Sequence, residues 1–381
     1  MEKTYVSYDK YVQPTEDTYN TALLELTDYC NLNCMFCFNA SSMGNKKHMT
    51  MEAFRIIVDK LKKHVYYVQL SGGEPLANPC IQKMIDYLIE VNLRFHINTN
   101  GTLLDDLLFD KLLTCNLGTL QFSLDGACQQ TDDYIRGKGH FNTVTSLMKR
   151  FSEYHFNRGL SRMVITSSNY REVKDFFYLN LEYGFIPTFS FLMRSGRADT
   201  NWNDICINNN IAYNIREIIR NLFDSNKKFF LRFQDPHVVE RFRELNLGCV
   251  GECQFNLDKY RFLPSVSPNG NVHPCESLFQ DEFIIGNILS EDPDSIFSAR
   301  NPKVVEISKM CKKRKRLLDT EICCNCEINE VCGKGCVAKS ISHGNIYGPP
   351  DDCDIRKRDY ENMMRNCKKS FVSKALSQVS D

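Results

Sequence analysis

The sequence of 381 residues lacks long apolar runs, since no stretch approaches the roughly 18 consecutive apolar residues that cross a membrane. The opening segment, MEKTYVSYDKYVQPTED, also lacks the apolar core of a secretion signal. The 47 basic and 47 acidic residues give a formal net charge of zero, so no overall field attracts nucleic acid or anionic lipid. These absences predict a cytoplasmic protein with no nucleic-acid partner and no membrane partner.

Cysteine is abundant, with 18 residues in the chain. Because no secretion signal is recognisable, reduced thiolates that bind metal are favoured over disulfides. The cysteines form one group at positions 30, 34 and 37 and a second, larger group between positions 249 and 353. The sequence therefore predicts metal chemistry at two places in the chain.

Short apolar runs alternate with longer segments of helical period from residue 21 to about 193. The runs predict strands at 22–27, 66–71, 93–99, 119–124, 161–166 and 187–193, and the segments between them predict helices at 51–63, 78–91, 104–114, 141–155 and 171–183. Repeats of strand then helix predict parallel strands with right-handed crossovers, in either a barrel-like or an open doubly wound sheet. The predicted fold class is therefore α/β.

Polar motifs follow the ends of the predicted strands. TDYC, SGGEP, NTNG, SLDG and TSSN each come directly after an apolar run. Because the carboxyl ends of parallel strands meet at one edge, where parallel α/β folds build their sites, these motifs are expected to share one functional rim.

The chain also divides by composition. Residues 1–20 are predicted as an N-terminal extension, 21–200 as the core, 201–245 as a helical connector, 246–355 as a cysteine-rich domain and 356–381 as a polar tail. Within the cysteine-rich domain, RFLPSVSPNGNVHPC predicts a hairpin around Pro268, Asn269 and Gly270, because Asn-Gly readily supplies positive φ. The segments that follow are too short and polar to build a hydrophobic core without a stabilising cross-link such as a bound metal.

CNLNCMFC, which follows the first predicted strand, holds Cys30, Cys34 and Cys37 at the spacing C-x3-C-x2-C. Three thiolates from one tight loop can hold three corners of a 4Fe-4S cubane and leave the fourth iron without a protein ligand. Two alternatives stay open at this point, a zinc site completed from elsewhere in the chain and three incidental core cysteines.

This motif, with Phe36 before its last cysteine, resembles the signature of radical S-adenosylmethionine (SAM) enzymes. The resemblance implies a partial (β/α)6 TIM-like barrel in which the amino and carboxylate groups of SAM chelate the open iron. It further implies that an electron from the cluster cleaves SAM to methionine and a 5'-deoxyadenosyl radical. A reductant such as flavodoxin or ferredoxin is the implied source of that electron.

The resemblance also implies SAM contacts at the strand ends. SGGEP would hold the methionyl amine, NTNGT and FSLDG would meet the ribose or a carboxylate, and the arginine of DDYIRGKGHF would meet the SAM carboxylate. A phenylalanine and a methionine would face the adenine. Alternatives are an ordinary tight turn for SGGEP, a surface position for the arginine and plain core packing for the methionine. The residues carried over are Phe36, Gly72, Gly73, Glu74, Asn100, Ser123, Asp125, Arg136 and Met193.

A second pattern, C-x2-C-x5-C-x3-C, lies in CCNCEINEVCGKGC, and a G-x4-C pair lies on the predicted hairpin upstream. Together they resemble the SPASM extension of radical SAM enzymes that modify peptides and proteins. The resemblance implies two auxiliary 4Fe-4S clusters, which with the SAM-binding cluster makes three. The first would bind Cys249, Cys253, Cys275 and Cys336, and the second would bind Cys323, Cys326, Cys332 and Cys353.

Two of these ligand assignments leave alternatives. Cys324 adjoins Cys323 and could replace it, and the spacing Cys249-x3-Cys253 is tighter than in sulfatase-maturing relatives. Without Cys249 as a ligand, the first auxiliary cluster would have an open iron that is free to bind substrate. A pair of zinc ribbons is the alternative for the whole domain, since C-x2-C pairs occur in zinc sites.

The predicted function is peptide maturation, in which the 5'-deoxyadenosyl radical abstracts hydrogen from a residue of a ribosomally made peptide. The product would be a thioether or carbon-carbon crosslink, an epimerised residue or an oxidised residue. The alternatives are a radical SAM dehydrogenase or cofactor-biosynthesis enzyme acting on a small molecule, an enzyme like those that mature anaerobic sulfatases, and a non-catalytic iron-sulfur sensor or scaffold.

Two further features bear on the substrate. Glu276 directly follows Cys275, where the sulfatase-maturing group has an Asp base, so it is either a proton acceptor or a solvated glutamate. The basic run KKRKR, Lys312 to Arg316, either offers an acidic leader peptide a local patch or is a solvated face.

Overall fold

Strands alternate with helices between Tyr19 and Phe191 in the computed structural model, which describes residues 19–230, 263–362 and 364. This alternation confirms the predicted α/β class, and every predicted strand overlaps an observed one. The strands are β1 Tyr19–Glu25, β2 Val65–Ser71, β3 Arg94–Thr99, β4 Leu117–Ser123, β5 Gly159–Ile165 and β6 Ile186–Phe191. The helices are α1 Met51–Leu61, α2 Ile81–Glu90, α3 Asp106–Thr114, α4 Gln129–Arg136, α5 His140–Glu153 and α6 Val173–Glu182.

Short helices and strands follow β6. The described residues of the predicted connector are mostly helical, with α7 Arg197–Thr200 and α8 Trp202–Ile205 leading into α9 Asn209–Ser225 and α10 Lys227–Phe230. No helix within the described ranges is both long and apolar enough to span a bilayer. The later elements are β7 Ser265–Val266, β8 Asn271–His273, β9 Gly286–Asn287, α11 Pro293–Ile296, α12 Pro302–Leu317 and α13 Val337–Ser342.

The described residues fall into two compact units, each built from separate stretches of the chain. The first unit comprises residues 19–33, 41–122 and 263–308, and the second comprises residues 34–40, 123–230 and 309–364. The domain boundaries expected at residues 200, 245 and 355 stay predictions.

The sheet of the first unit runs in the order β4-β3-β2-β1-β7-β8-β9. Neighbouring strands from β4 to β7 are parallel, whereas β7, β8 and β9 are antiparallel. The turn between β7 and β8 confirms the predicted hairpin, since Gly270 has a φ of +83° and Ser267 N donates to Asn271 O at 2.9 Å. The hairpin therefore extends the parallel sheet beside β1.

One face of this sheet forms the core of the first unit. Leu24 of β1, Leu70 of β2, Ile97 of β3 and Leu120 of β4 are neighbours in register, and none of them is exposed. Because crossover helices cover the faces of parallel sheets, this apolar row and the apolar stripes of the helices bury each other. Alternate residues along the same strands point to the other face.

In the second unit, β5 and β6 pair in parallel. Helix α9 contacts both α6 and a helical stretch near residue 359. Phe223 of α9 packs against Phe177 of α6, with ring centroids 5.2 Å apart. On the same helix, Arg220 Nη2 lies 2.7 Å from Asp359 Oδ1, and Arg216 Nη1 lies 3.5 Å from Asp359 Oδ2. Asp359 belongs to a helical stretch at 353–362, so two arginines tie that stretch to α9.

The basic run at Lys312–Arg316 lies in the last turns of α12, and one of its members is not on the surface. Arg314 is 3% exposed, and its Nη2 donates to Lys334 O at 2.8 Å, Ser340 Oγ at 2.9 Å and Gly348 O at 3.1 Å. The interpretation of the run as a uniform solvated face is therefore wrong at Arg314. This side chain instead holds together the segment that carries the last cysteines.

We expect Arg314→Ala to lower the free energy of unfolding by about 3 kcal/mol, because it leaves three buried acceptors without their donor. The measurement is chemical denaturation of anaerobically purified protein. Lys315→Ala, at an exposed position of the same helix, is the control and should change that free energy by less than about 0.5 kcal/mol. Equal effects of the two substitutions would contradict the role of Arg314.

Candidate cluster and cofactor site

Cys30 lies in the first unit, on the segment that follows β1. Its backbone N–H donates to Ser42 O at 3.2 Å. Its Sγ accepts hydrogen bonds from Leu32 N at 3.5 Å and from Asn100 Nδ2 at 3.9 Å. Because hydrogen bonds to the charged form favour it, these donors suit a thiolate ligand. The structure thus brings Asn100, a predicted SAM contact, to the sulfur of a predicted cluster ligand.

The glycines of SGGEP are packed against the same segment. A Cβ on Gly72 would lie 2.3 Å from Thr27 O, and a Cβ on Gly73 would lie 2.1 Å from Tyr29 O. Gly72 also has a φ of +124°, which L side chains rarely adopt. Because these glycines have no side chain, the backbone after β2 packs directly against the backbone just before Cys30. Their predicted contact with SAM stays a prediction.

Glu74 is 1% exposed, and its carboxylate joins the ends of β2 and β3. Oε1 accepts hydrogen bonds from Leu76 N at 3.0 Å and from Thr99 Oγ1 at 2.6 Å, and Oε2 accepts one from Asn100 N at 2.7 Å. An ordinary tight turn has no need of a buried carboxylate. The tight-turn interpretation of SGGEP therefore does not account for Glu74. Glu74 fixes the backbone of Asn100, while its assignment to the methionyl amine stays a prediction.

Cys34 and Cys37 lie in the second unit, in a turn that the segment after β6 holds. Arg197 N donates to Cys37 O at 2.9 Å, and Arg197 Nε donates to Cys34 O at 2.8 Å. Gly196, with a φ of +56°, lets this segment approach so closely that a Cβ would lie 2.5 Å from Cys37 O. Sequence reasoning missed these residues, although RSGRAD after the sixth strand was a strand-end motif of the same kind as the others.

Arg136 is 9% exposed, so the alternative of a surface arginine is wrong. Its Nε lies 2.5 Å from Asp125 Oδ2, and its Nη1 donates to Cys34 Sγ at 3.7 Å. Its guanidinium also lies 5.7 Å from the centre of the Phe36 ring. The predicted adenine contact, the predicted carboxylate contact and a cluster cysteine therefore meet around one buried cation.

Asp125 is completely buried and is held from several sides. Its Oδ1 accepts a hydrogen bond from Val164 N at 2.7 Å, and its own N–H donates to Asp132 Oδ1 at 2.7 Å. Asp132 Oδ2 in turn lies 2.6 Å from His140 Nδ1. Asp132 and His140 were not among the predicted site residues, since their contact depends on how α4 follows β4. This chain of contacts fixes the position of Arg136 beside Cys34.

Burial changes the proton affinities of this group. It raises the pKa of Asp125 to about 6, and the charge of Arg136 opposes that rise. Burial also raises the pKa of the Cys34 thiol, and the charge of Arg136 again acts in the opposite direction. A metal that binds Cys34 must displace its proton, so the nearby guanidinium favours the liganded form.

The other predicted SAM contacts in the second unit lie close to these residues in the chain. Phe36 is buried in an apolar cluster with Ile135, Ala198 and Ile205. Ser123 and Met193 are both half-buried, at the end of β4 and just after β6. Their contacts with the ribose and the adenine stay predictions.

Four cysteines near the end of the chain act electrostatically on one another. Burial raises the pKa of Cys353 to about 11, and the charges of Cys323 and Cys332 add to the rise. Burial likewise raises the pKa of Cys323, with Cys326 and Cys332 acting in the same direction. Neighbouring thiolates repel one another until a cation binds, so this grouping supports a shared metal group. The cysteines are those predicted for the second auxiliary cluster.

Cys324 differs from these four. It is exposed, and its thiol donates to Glu321 O at 3.8 Å. These contacts favour Cys323 over Cys324 as the ligand, and the choice stays a prediction. Of the first auxiliary cluster, Cys249 and Cys253 lie outside the described residues. Cys275 follows β8, and Cys336 precedes α13.

A single metal ion needs several donor side chains that converge on one point. Within residues 19–230, 263–362 and 364, no three His, Cys, Asp or Glu side chains are grouped in a way that could hold one ion. A cubane binds each thiolate through a different iron, so its ligands do not converge on one point. The sulfurs of Cys30 and Cys34 accept hydrogen bonds from N–H donors, which suits thiolates that bind a metal centre.

Comparison with known proteins gives a superfamily match for part of the chain and a shared fold. Residues 24–178 match the sequence model of the radical SAM superfamily. The crystal structure of Streptococcus suis SuiB bound to the precursor peptide SuiA is similar, with a TM-score of 0.65 at 16% identity, over 87% of this chain and 74% of SuiB. This likeness confirms the predicted fold class, an α/β fold of the partial-barrel type.

Sequence similarity extends over most of the chain. The chain is 27% identical over 336 residues to the mycofactocin maturase MftC of Mycolicibacterium smegmatis, covering 86% of this chain and 81% of the relative. It is 26% identical over 349 residues to the antilisterial bacteriocin subtilosin biosynthesis protein AlbA of Bacillus subtilis, covering 89% of this chain and 71% of the relative.

We expect Gly73→Ala to reduce both the iron content after anaerobic reconstitution and the thermal stability, because the new Cβ displaces the segment that precedes Cys30. Overpacking of this kind costs about 1–3 kcal/mol. Gly44→Ala is the control, since its Cβ would meet only Ser42 Oγ, at 3.5 Å. Iron content and melting temperature equal to those of the control would show that the packing at Gly73 is unimportant.

Arg136→Met should destabilise the protein more at high pH than at low pH. Without the guanidinium, the pKa of buried Asp125 rises further above its ordinary value of 3.8, so the charged carboxylate is penalised in the folded state. The loss in melting temperature should be large at about pH 8 and smaller at about pH 5.5, where Asp125 takes up a proton. Lys149→Met, at an exposed position on α5, should show no such dependence. A loss that is the same at both pH values would contradict the pairing.

Proposed function

We propose that the chain, whose residues 24–178 match the model of the radical SAM superfamily, is an enzyme of that superfamily and modifies a ribosomally made peptide. MftC is named a maturase, AlbA is named a bacteriocin biosynthesis protein, and SuiB was crystallised with a precursor peptide. These relatives support a peptide as the substrate of this chain.

The extent of the similarity carries the proposal. The radical SAM match ends at residue 178, whereas the alignments with MftC and AlbA cover 86% and 89% of the chain. They therefore include much of the cysteine-rich region. The similarity to these maturases thus involves the second metal region as well as the radical SAM domain, and their named roles favour a peptide as the substrate.

The superfamily implies a 4Fe-4S cluster and SAM, which when bound supply a primary alkyl radical for hydrogen abstraction. We assign the cluster to Cys30, Cys34 and Cys37. Asn100 in the first unit and Arg136 in the second donate to the sulfurs of Cys30 and Cys34. Such bonds orient ligands and adjust the reduction potential of a cluster. The burial of Arg136 and Asp125 also keeps water away from Cys34.

We further assign two auxiliary 4Fe-4S clusters to the cysteine-rich region. The second would be held by Cys323, Cys326, Cys332 and Cys353, whose electrostatic grouping supports the assignment. The first would be held by Cys275 and Cys336 with Cys249 and Cys253. A thioether or carbon-carbon crosslink, an epimerised residue or an oxidised residue is the proposed product, and flavodoxin or ferredoxin is the proposed reductant.

The reconstituted enzyme should release 5'-deoxyadenosine from SAM when dithionite is added under anaerobic conditions. Cys34→Ala should release none, because it removes one of the three thiolates on which the cluster depends. Cys128→Ser, at an exposed cysteine, should behave as the parent does. Chromatography of the reaction mixture provides the measurement, and product from Cys34→Ala at the parent's rate would overturn the cluster assignment.

The peptide substrate is tested by co-expressing the enzyme with the short open reading frames that flank its gene. Mass spectrometry should show one encoded peptide with an altered mass, and the change should disappear with Cys34→Ala. Cleavage of SAM without any modified peptide would contradict the peptide proposal and would leave the superfamily assignment intact.

A further inference from the structure

The second face of the sheet in the first unit is buried but polar. Its central row contains six residues that are neighbours in register across six strands, and each is at most 8% exposed. Five of the six are polar, in contrast to the apolar row one residue further along. From β8 to β4 the row reads His273, Ser265, Leu23, Gln69, His96 and Thr119.

Such a face is unusual for a parallel sheet. Strands of α/β proteins are normally apolar on both faces, and branched aliphatic side chains fill the interior of a complete barrel. Polar side chains that lose water without gaining hydrogen bonds destabilise the fold. Within the row, His96 Nδ1 already lies 2.5 Å from Thr119 Oγ1, so a bound molecule is expected only where polar atoms of this face have no partner.

Glu25 lies on this face at the end of β1, two residues after Leu23. Ser265 Oγ donates to Glu25 Oε1 at 3.3 Å across the β1–β7 pair. Ser71 is the partner of Glu25 on β2, so no cationic side chain stands beside it in register on that side. The carboxylate thus ends a strand at the edge where the predicted site residues also lie.

Two other side chains on this face have hydrogen-bonding atoms without partners in the described part of the chain. They are Thr21 Oγ1 on β1 and His273 Nε2 on β8. Both residues are only 6% exposed, so water does not readily take the place of a partner. His273 is directly opposite Ser265 in the β7–β8 hairpin, and directly opposed residues share a face. Unused hydrogen-bonding atoms therefore lie on the same face as Glu25, on both β1 and the hairpin.

The electrostatic surroundings of Glu25 disfavour its charged form. Burial raises the pKa of Glu25 to about 7, the hydrogen bond from Ser265 opposes the rise, and the charges of Glu276 and Asp28 add to it. Both charges that act on it are negative. An N–H donor, and above all a cationic one, is the kind of group that would relieve this penalty.

We propose that Glu25, with Ser265 and His273, forms a subsite that binds an N–H group of the peptide substrate. Glu25 accepts the hydrogen bond, Ser265 orients the carboxylate, and His273 Nε2 and Thr21 Oγ1, further along the same face, bond to other residues of the peptide. The subsite rests on the proposed function and adds a specificity-determining residue that the sequence motifs did not indicate.

The first test measures stability in the holoenzyme, without any peptide. If Glu25 serves binding, Glu25→Gln should melt at a higher temperature than the parent at about pH 8, because the parent then holds a charge that is partly shielded from water. The difference should disappear as the pH falls to about 4, below the ordinary pKa of 4.5, where Glu25 is protonated in both the folded and the unfolded protein. A lower melting temperature for Glu25→Gln at both pH values would give Glu25 a purely structural role and overturn the proposal.

The second test uses the peptide identified by co-expression. Glu25→Gln should raise the KM for that peptide at least tenfold, while iron content and the release of 5'-deoxyadenosine without peptide stay at the parent's level. Glu25→Asp should recover part of the loss, and Glu52→Gln, at an exposed position on α1, should match the parent. An unchanged KM in Glu25→Gln would refute the subsite.

The pH dependence of this KM separates the two sources of an N–H donor. A cationic donor, ammonium or guanidinium, gives a KM for the parent that falls as Glu25 ionises between about pH 6 and about pH 8, whereas a backbone amide gives a much weaker dependence. Either result supports the subsite, provided that the pH dependence of KM disappears in Glu25→Gln. If the parent cleaves SAM but modifies no peptide, the proposed function fails, and the stability measurement still decides whether Glu25 is structural.

Discussion

Backbone contact between the glycines after β2 and the segment after β1 is the constraint on which the first part of the site depends. No side chain fits between Gly73 and Tyr29 O, so the end of β2 determines the path of the chain that leads to Cys30. Glu74, the next residue, then binds the backbone of Asn100 after β3, and Asn100 returns to the sulfur of Cys30. Three strand ends are thereby joined in a closed series of contacts around one cysteine.

In the second unit, a charged side chain positions a donor beside the cysteine sulfur. Arg136 is buried between the carboxylate of Asp125 and the sulfur of Cys34, and a buried cation is tolerated only when it is paired. Asp132 and the backbone of Val164 in turn hold Asp125. Each unit therefore directs an N–H donor at one cysteine sulfur, through a neutral amide in the first unit and a guanidinium in the second.

The sequence was sufficient to predict the strands and helices, because hydrophobic periodicity and the motifs at strand ends are local properties of the chain. It predicted the alternation of strands and helices, the hairpin at Gly270 and the placement of polar motifs at the strand ends. It did not indicate what the glycines approach, that Arg197 holds the turn of Cys34, or that Arg314 is buried, since each depends on contacts between distant parts of the chain. The polar face was missed for a similar reason, because only the register across six strands shows that His273 and Thr119 belong to one row.

The separation of the two sheet faces has an evolutionary consequence. Along β1, Leu24 belongs to the packing of the helices, whereas Leu23 and Glu25 on either side of it face the opposite way. Substitutions at every second position can thus alter the polar face without disturbing the packing of the helices on the apolar face. A scaffold with this alternation can diverge toward new substrates by few mutations, each with little cost to folding.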